Sequence, residues 1–149
     1  NEEYIKNGCH FFSKAEIHNQ DYIDTIKNFN YDKLSTNIFY YFDPPYINTT
    51  ATYNENNGWT IDDDKILLNH LNNLTQHNIK WALSNVFRNK NKTNNNLIKW
   101  VTQNNYNIYM FDNIAYTACG QGNSNAEEVL ITNYKIFSIE TNKSNKKLF

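Results

Sequence analysis

Two consecutive prolines, Pro44 and Pro45, directly follow an aromatic and β-branched run over residues 37–42. A run of that kind predicts a buried β-strand. Proline donates no hydrogen bond to a sheet and keeps the preceding residue out of the helical region, so the strand has to end at Asp43. The chain therefore leaves the strand through a stiff segment that has Asp43 on one side and Tyr46 on the other.

The chemistry of this exit suits a planar base that carries an exocyclic amine. The Asp43 carboxylate and the Pro44 carbonyl are two hydrogen-bond acceptors at a nearly fixed spacing, with the Tyr46 ring beside them. Ligands of open α/β sheets bind at the carboxyl ends of the strands. The acceptors can take the amine hydrogens while the aromatic ring stacks on the base. The alternative interpretation is an ordinary strand exit in which Asp43 serves only a turn.

The tetrapeptide at 43–46 resembles the catalytic motif of methyltransferases that act on the N6 amine of adenine. Residues 43–59, 79–86 and 127–134 are similar, in the same order, to the later motifs of the Dam-like (D12 class) DNA adenine-N6 methyltransferases of restriction–modification systems. The resemblance extends over roughly residues 15–134. It implies an enzyme that transfers a methyl group from S-adenosylmethionine to the amine of a flipped adenine in double-stranded DNA.

The resemblance implies a catalytic role for four residues: Asp43, Pro44, Pro45 and Tyr46. Asp43 and Pro44 would accept hydrogen bonds from the amine, and Tyr46 would stack on the base. Asp43 would also border the cofactor. Asp21 and Tyr22 match the acidic–aromatic pair that lies beside the cofactor adenine in the family. An ordinary helix-capping aspartate is the alternative for Asp21.

Residues in two loops are candidates for contact with DNA: Tyr53, Asn54, Trp59, Asn85, Arg88 and Lys90. The loop after the catalytic motif is expected to cover the flipped base, and the alternative for Trp59 is a lid residue packed on the following helix. Asn85 follows the next predicted strand. The alternative for Asn85 is structural, because an asparagine at the end of a strand can close a turn through its own side chain. Arg88 and Lys90, with Lys92, form a short basic loop that suits either phosphate contact or simple solvation.

Hydrophobic periodicity and capping signals predict an alternating order of elements. The predicted strands cover residues 15–19, 37–42, 79–83, 107–111 and 129–134. Helices are expected from about Asp21, from Thr60 to about His77, and after Thr93. Alternating strands and helices imply a parallel sheet with helix crossovers, and the last two strands form an antiparallel pair. We therefore expect an α/β fold, and the resemblance identifies it as the C-terminal half of a Rossmann-like methyltransferase sheet.

The chain lacks the glycine-rich turn with which the family binds its cofactor. None of the four glycines lies between a buried strand and a helix ahead of residue 37, and the chain begins with asparagine. We expect a fragment without the N-terminal glycine-rich motif, inactive alone, whose partner is the missing N-terminal half, in cis or as a second chain. The expected organisation is the end of a target-recognition region or linker at 1–14, the catalytic half at 15–136 and a polar basic tail at 137–149.

Composition narrows the class of protein further. The net charge is −1, so the chain has no overall basic signature of nucleic-acid binding, and any contact with DNA has to be local. Cys9 and Cys119 provide neither a disulfide framework nor a metal-ligand spacing, and no apolar run is long enough to span a membrane. The four histidines show no ligand spacing, and His70 and His77 are expected on a helix surface. We predict a cytoplasmic protein of bacterial or phage type that binds no metal.

Two other functions remain open on the sequence. Methylation of RNA or of a protein amide uses a similar proline–proline–aromatic motif, but those relatives more often begin it with asparagine, so Asp43 favours adenine in DNA. A non-catalytic binding or regulatory subunit derived from a methyltransferase is the third possibility. The missing glycine-rich turn supports that possibility, whereas the intact residues 43–46 argue against it.

Overall fold

The computed structural model describes residue 13 and residues 15–33, 37–48, 59–110 and 126–136. These ranges contain a short 3-10 helix (Tyr31–Lys33) and the α-helices α1 (Tyr22–Lys27), α2 (Ile61–Gln76) and α3 (Asn95–Gln103). The strands are β1 (Phe39–Phe42), β2 (Lys80–Asn89), β3 (Lys92–Thr93), β4 (Asn107–Met110) and β5 (Ala126–Thr132). No helix in these ranges has the length and apolar character needed to cross a bilayer.

The strands form one mixed sheet in the order β1-β2-β5-β4, and β3 pairs with the far end of β2. β1 and β2 are parallel and are joined by α2, which is the predicted helix crossover. β5 runs antiparallel to both of its neighbours, β2 and β4. The predicted α/β class with a closing antiparallel pair is therefore confirmed. The insertion of the last strand between β2 and β4 is a feature that the sequence does not predict.

Local signals explain where α2 begins and ends. The Thr60 hydroxyl accepts from the Asp63 amide at 3.2 Å, and the Asp63 carboxylate accepts from the Thr60 amide at 2.9 Å, which is a reciprocal capping box. At the other end, Asn78 has a left-handed backbone with φ 59°, and the Ile79 amide donates to the Leu74 carbonyl at 2.9 Å. Asparagine adopts that conformation more readily than most residues, so it ends the helix close to the predicted position.

The sequence predicts Thr93 as the N-terminal cap of α3, but the structure has Asn94 in that position. The Asn94 side-chain oxygen accepts from the Leu97 amide at 3.1 Å, whereas Thr93 pairs with Arg88 in the hairpin that joins β2 and β3. Both residue types are good helix caps. The hairpin decides between them, because it takes Thr93 into a strand and leaves the next residue to start the helix.

The core lies between one face of β2 and the helices α2 and α3. The most deeply buried apolar side chains include Leu67, Leu71, Leu74, Trp81, Leu83, Leu97, Val101 and Ile131. The leucines of α2 recur at helical spacing, so they form one apolar stripe that faces the sheet. Burial of this surface fixes β2 against both helices, and β2 is therefore the rigid element beside which β1 ends.

One predicted strand is absent from the structure, and the predicted end of another is wrong. Residues 15–19 form no strand and their side chains are exposed, since none of the described strands pairs with them. β2 continues to Asn89 instead of ending near residue 83, because β5 pairs with it from Ala82 to Asn89. The extra length places Asn85, which is predicted at a strand exit, in the middle of the sheet.

The predicted surface position of His70 is also wrong, because its side chain is only 2% exposed. The segment before β1 folds across α2, and the Tyr31 hydroxyl lies 2.6 Å from His70 Nδ1. The rings of Phe29 and Phe42 meet the imidazole edge-on, at centroid distances of 4.9 and 5.8 Å. Helical periodicity cannot reveal a face that a second segment covers.

Candidate active site

The exit of β1 brings several oxygen-bearing side chains together. Phe42 pairs with Leu83 in the parallel register, so the next residue, Asp43, lies beside Ser84. The Ser84 hydroxyl donates to Asp43 Oδ1 at 2.8 Å, and the Tyr46 hydroxyl donates to the same oxygen at 3.0 Å. Two hydroxyl donors therefore fix one oxygen of the carboxylate. Among the described residues none donates to the second oxygen, which can accept a hydrogen bond from a ligand.

Tyr41 extends this network by one hydroxyl. Its Oη donates to Ser84 Oγ at 3.0 Å on the same face of the sheet, because Tyr41 pairs with Ala82, two residues before Ser84. Ser84 thus accepts from Tyr41 while it donates to Asp43. The sequence does not predict Tyr41 at the site, and for Ser84 the family resemblance implies only a place beside Asn85 at the active-site rim. Side-chain alternation along the two strands is the signal that would find them, but it requires the pairing register.

The Tyr46 side chain is half-buried beside the carboxylate. Burial is the main reason that the pKa of Tyr46 rises to about 12, and the negative charges of Asp43 and Glu128 act in the same direction. A hydrogen bond with Ser84 opposes this rise in pKa. The phenol is therefore neutral, and a hydrogen-bond donor, at neutral pH. Its bond to Asp43 keeps the ring beside the carboxylate, as stacking on a bound base requires.

Asp21 and Tyr22, which are predicted beside the cofactor, both have structural partners. Asp21 caps α1 through Oδ1, which accepts from the Ile23 amide at 2.8 Å, and its side chain is exposed. The Tyr22 hydroxyl donates to the Asp63 carbonyl at 2.9 Å, and its ring packs against Trp59 at a centroid distance of 5.0 Å. An exposed carboxylate fits the hydroxyls of a ribose. Tyr22 is suited to form an apolar wall of a binding site, because its hydroxyl already donates to the Asp63 carbonyl.

Of the candidates in the loop after the motif, Tyr53 and Asn54 lie outside the described residues. The Trp59 indole N–H donates to Asp64 Oδ1 at 3.3 Å, and burial raises the pKa of that carboxyl. Trp59 is thus packed on the first turn of α2, which is the structural alternative named for it. Its contact with DNA stays a prediction.

The candidates on β2 and its hairpin differ in exposure. Asn85 is 3% exposed, and its side-chain oxygen accepts from the Val86 amide at 2.8 Å, so it does not lie at the exposed strand exit that the sequence predicts. Arg88 is exposed, but its guanidinium lies 3.5 Å from the Glu127 carboxylate and its charge is already paired. Lys90 lies exposed at the tip of the hairpin between β2 and β3.

The site as a whole offers hydrogen-bond acceptors next to an aromatic ring. Asp43 presents a carboxylate oxygen and Pro44 a backbone carbonyl directly after β1. In the part of the chain that the structure describes, no three His, Cys, Asp or Glu side chains cluster so as to bind a metal ion. Acceptors held in place before a ligand arrives are suited to take the hydrogens of an amine and to orient its nitrogen.

Comparison with known proteins agrees with this chemistry. The family described as D12 class N6 adenine-specific DNA methyltransferase matches residues 5–115 of the chain. Modification methylase StsI of Streptococcus sanguinis is 35% identical over 140 residues, which make up 90% of this chain and 21% of that protein. Modification methylase LlaI of Lactococcus lactis subsp. lactis is 34% identical, and type II methyltransferase M.FokI of Planomicrobium okeanokoites is 35% identical, each over 72% of this chain and 17% of its own length.

The chain thus spans about a fifth of the length of the curated relatives that it matches. The family match confirms the resemblance that residues 43–46 predict. It also agrees with the architecture, since a mixed sheet with a parallel pair joined by a helix is a partial Rossmann-like methyltransferase fold.

Proposed function

The chain belongs to the D12 class of N6 adenine-specific DNA methyltransferases, and we propose that it carries the catalytic half of a site-specific modification enzyme. The enzyme transfers a methyl group from S-adenosylmethionine to the N6 amine of a flipped adenine in double-stranded DNA. The observation that carries this proposal is the Asp43 carboxylate at the end of β1, where Ser84 and Tyr46 hold one of its oxygens.

Asp43 and Pro44 bind the adenine amine in this proposal. Asp43 Oδ2 and the Pro44 carbonyl accept the two amine hydrogens and draw the nitrogen lone pair out of conjugation with the base, which makes the nitrogen a nucleophile. S-adenosylmethionine would supply an electrophilic methyl group and would leave as S-adenosylhomocysteine when its S–CH3 bond breaks, and one of the two amine hydrogens would leave as a proton once the N–C bond has formed. The gain in rate comes from positioning and from acceptors that are already oriented, so no covalent enzyme intermediate is needed.

Ser84 and Tyr41 are positioning residues for the same carboxylate. The terminal torsion of an aspartate is broad, so an unanchored carboxylate samples many orientations. Hydrogen bonds to a charged acceptor are among the stronger ones, and Asp43 Oδ1 receives two of them. Tyr46 both anchors the carboxylate through its hydroxyl and offers its ring face to the base.

Asp21 is the residue of this chain best suited to bind the cofactor ribose, with Tyr22 as an apolar wall and Asp43 on the side of the reacting base. Its carboxylate keeps Oδ2 for a ligand, since the bond that caps α1 uses Oδ1. A chain with these residues but without a glycine-rich turn contributes only part of the cofactor pocket. The remainder belongs to an N-terminal half, in cis or in a second chain.

The same proposal assigns an organisation to the enzyme. Residues 15–136 are the catalytic half, residues 1–14 end a recognition region or linker, and residues 137–149 are a basic tail. The loop after the catalytic motif, with Tyr53 and Asn54, covers the flipped base.

Substitution of Asp43 tests the proposal in the enzyme that contains this chain. Asp43→Ala removes the acceptor, and we expect single-turnover methyl transfer to fall by about a thousandfold while DNA affinity changes little. Asp62→Ala is the matched control because Asp62 is an exposed aspartate of α2 whose ion pair with Lys65 contributes little. A near-normal rate in the Asp43 variant would show that Asp43 is not the amine acceptor. A wild-type enzyme that binds DNA and never methylates it would favour the non-catalytic alternative.

A further inference from the structure

A polar cleft lies between the turn that follows Tyr46 and the hairpin that joins β2 and β3. Its lining residues are Asn48, Asn89, Lys90, Asn91 and Lys92. The cleft has a volume of about 320 Å³, near the lower end of the range for small-ligand sites. It begins two residues after the proposed base-stacking tyrosine, so a group bound there would lie close to the proposed active site.

Asn48 supplies the cleft with a hydrogen-bond donor that no described atom uses. Its side chain is 8% exposed, and its Nδ2 is buried without a hydrogen-bond partner. The backbone of Asn48 is fixed, because its carbonyl accepts from Asn89 Nδ2 at 3.2 Å. A buried N–H without an acceptor destabilises the fold, so a structure that retains one is suited to a ligand that brings an acceptor oxygen.

The charge of the cleft selects an anion. Its described lining contains two lysines and three asparagines, and no carboxylate. Arg88 is not among the residues that line the cleft, and its guanidinium lies 3.5 Å from the Glu127 carboxylate. Lys90 lies in the tight turn between β2 and β3, and its side chain is exposed beside the cleft.

We propose that this cleft binds one backbone phosphate of the DNA duplex, with Asn48 Nδ2 as a donor and Lys90 and Lys92 as the neutralising charges. The inference rests on the proposed function, which brings DNA to this edge of the sheet. It keeps Lys90 and Lys92 from the basic loop in which phosphate contact is predicted, leaves out Arg88, and adds Asn48. A phosphate held here fixes the register of the strand without reading its sequence.

The salt dependence of DNA binding tests the proposal in the complete enzyme. The probe is a short fluorescent duplex of G·C pairs only, because a phosphate contact is independent of sequence and such a duplex contains no adenine to methylate. Each lysine that neutralises a phosphate adds to the slope of log K against log salt concentration. Because one phosphate contributes about 0.9 to the slope, we expect the double variant Lys90→Ala/Lys92→Ala to reduce its magnitude by about 0.9, and each single variant to reduce it by part of that amount. Asn48→Asp should weaken binding at low salt by about tenfold or more, since it replaces the donor with a repelling carboxylate.

Lys99→Ala is the matched control, because Lys99 is an exposed lysine on α3 and its removal changes the net charge equally. Slopes for the Lys90 and Lys92 variants equal to that of the Lys99 variant would overturn the proposal, as would a wild-type enzyme that does not bind the duplex at all. These lysines are exposed, so the result does not depend on Asn48→Asp folding normally.

Methylation of an adenine-containing duplex, measured in parallel, separates this proposal from the function on which it rests. Normal methylation with unchanged slopes would rule out the proposed phosphate site and would leave the proposed methyltransferase function unaffected. Slopes that change as expected, without any methylation, would support the phosphate site and would rule out the proposed methyltransferase function.

Discussion

His70 makes the stability of this fold depend on pH. The imidazole is buried between α2 and the segment before β1, with Nδ1 2.6 Å from the Tyr31 hydroxyl. Nε2 has no hydrogen-bond partner among the described residues, and the rings of Phe29 and Phe42 surround the side chain. Burial lowers the pKa of His70 to about 4 from its ordinary value of 6.5, because a protonated ring would carry its charge into an apolar site.

The sign and size of the effect follow from this shift in pKa. Between pH 6.5 and about 4, the unfolded chain binds a proton at His70 that the folded chain does not bind. The free energy of unfolding therefore falls as the pH is lowered through this window, and it levels off below the folded-state pKa. At 1.36 kcal/mol per pKa unit, a shift from 6.5 to about 4 limits the contribution of His70 to about 3.4 kcal/mol.

Denaturant unfolding followed by tryptophan fluorescence, from neutral pH down to about pH 4, measures this contribution. His70→Phe removes the titrating group and keeps an aromatic ring among its neighbours. The fall in the free energy of unfolding toward low pH should therefore be smaller in this variant by the amount that His70 contributes. His18→Gln is the matched control, since His18 is exposed and its loss should leave the wild-type decline in place. All three proteins have the same carboxylates, so the difference between the wild-type and His70→Phe curves isolates His70. Equal declines in wild type and His70→Phe would refute this account of the buried imidazole.

Two further predictions concern the active site. Ser84→Ala should lower kcat for methyl transfer by about tenfold or more at an unchanged KM for DNA, because a donor to the Asp43 carboxylate is lost, and Ser84→Thr should restore much of the rate. An unchanged kcat in Ser84→Ala would show that the carboxylate needs no such support. Tyr46→Phe should be mild, since Ser84 still anchors Asp43, whereas Tyr46→Ala should lose methylation with little change in Tm, as base–aromatic stacking contributes roughly 1–3 kcal/mol. Parallel loss of activity and Tm in Tyr46→Ala would identify Tyr46 as a packing residue instead.

The features that the sequence predicts well are those set by neighbouring residues. The end of β1 lies where Pro44 and Pro45 require it, because the effect of proline on the backbone is local. The start of α2 at Thr60 is predictable for the same reason, since its capping box joins residues three apart. The proposed catalytic motif at residues 43–46 is predictable on the same ground, because it consists of four adjacent residues at a strand end.

The features that the sequence does not predict depend on distant segments. β2 extends to Asn89 because β5 pairs with it, and β5 comes from the far end of the chain. His70 is buried because the segment around Tyr31 crosses α2. Asn94 caps α3 because the hairpin with β2 takes Thr93 into a strand. Each error arises where pairing or packing overrides a local preference that is correct in itself.

The position of the Asp43 carboxylate, for which we propose a catalytic role, depends on one of these distant contacts. Asp43 lies beside Ser84 only while Phe42 is paired with Leu83. A shift of one residue in this pairing would place Leu83 or Asn85 beside Asp43 in place of Ser84. β5 holds β2, and with it Ser84, in place, because it pairs with β2 from Ala82 to Asn89 and adds Val129 and Ile131 to the core. The last strand of the fold therefore helps to set the hydrogen bonds of a motif that lies far earlier in the chain.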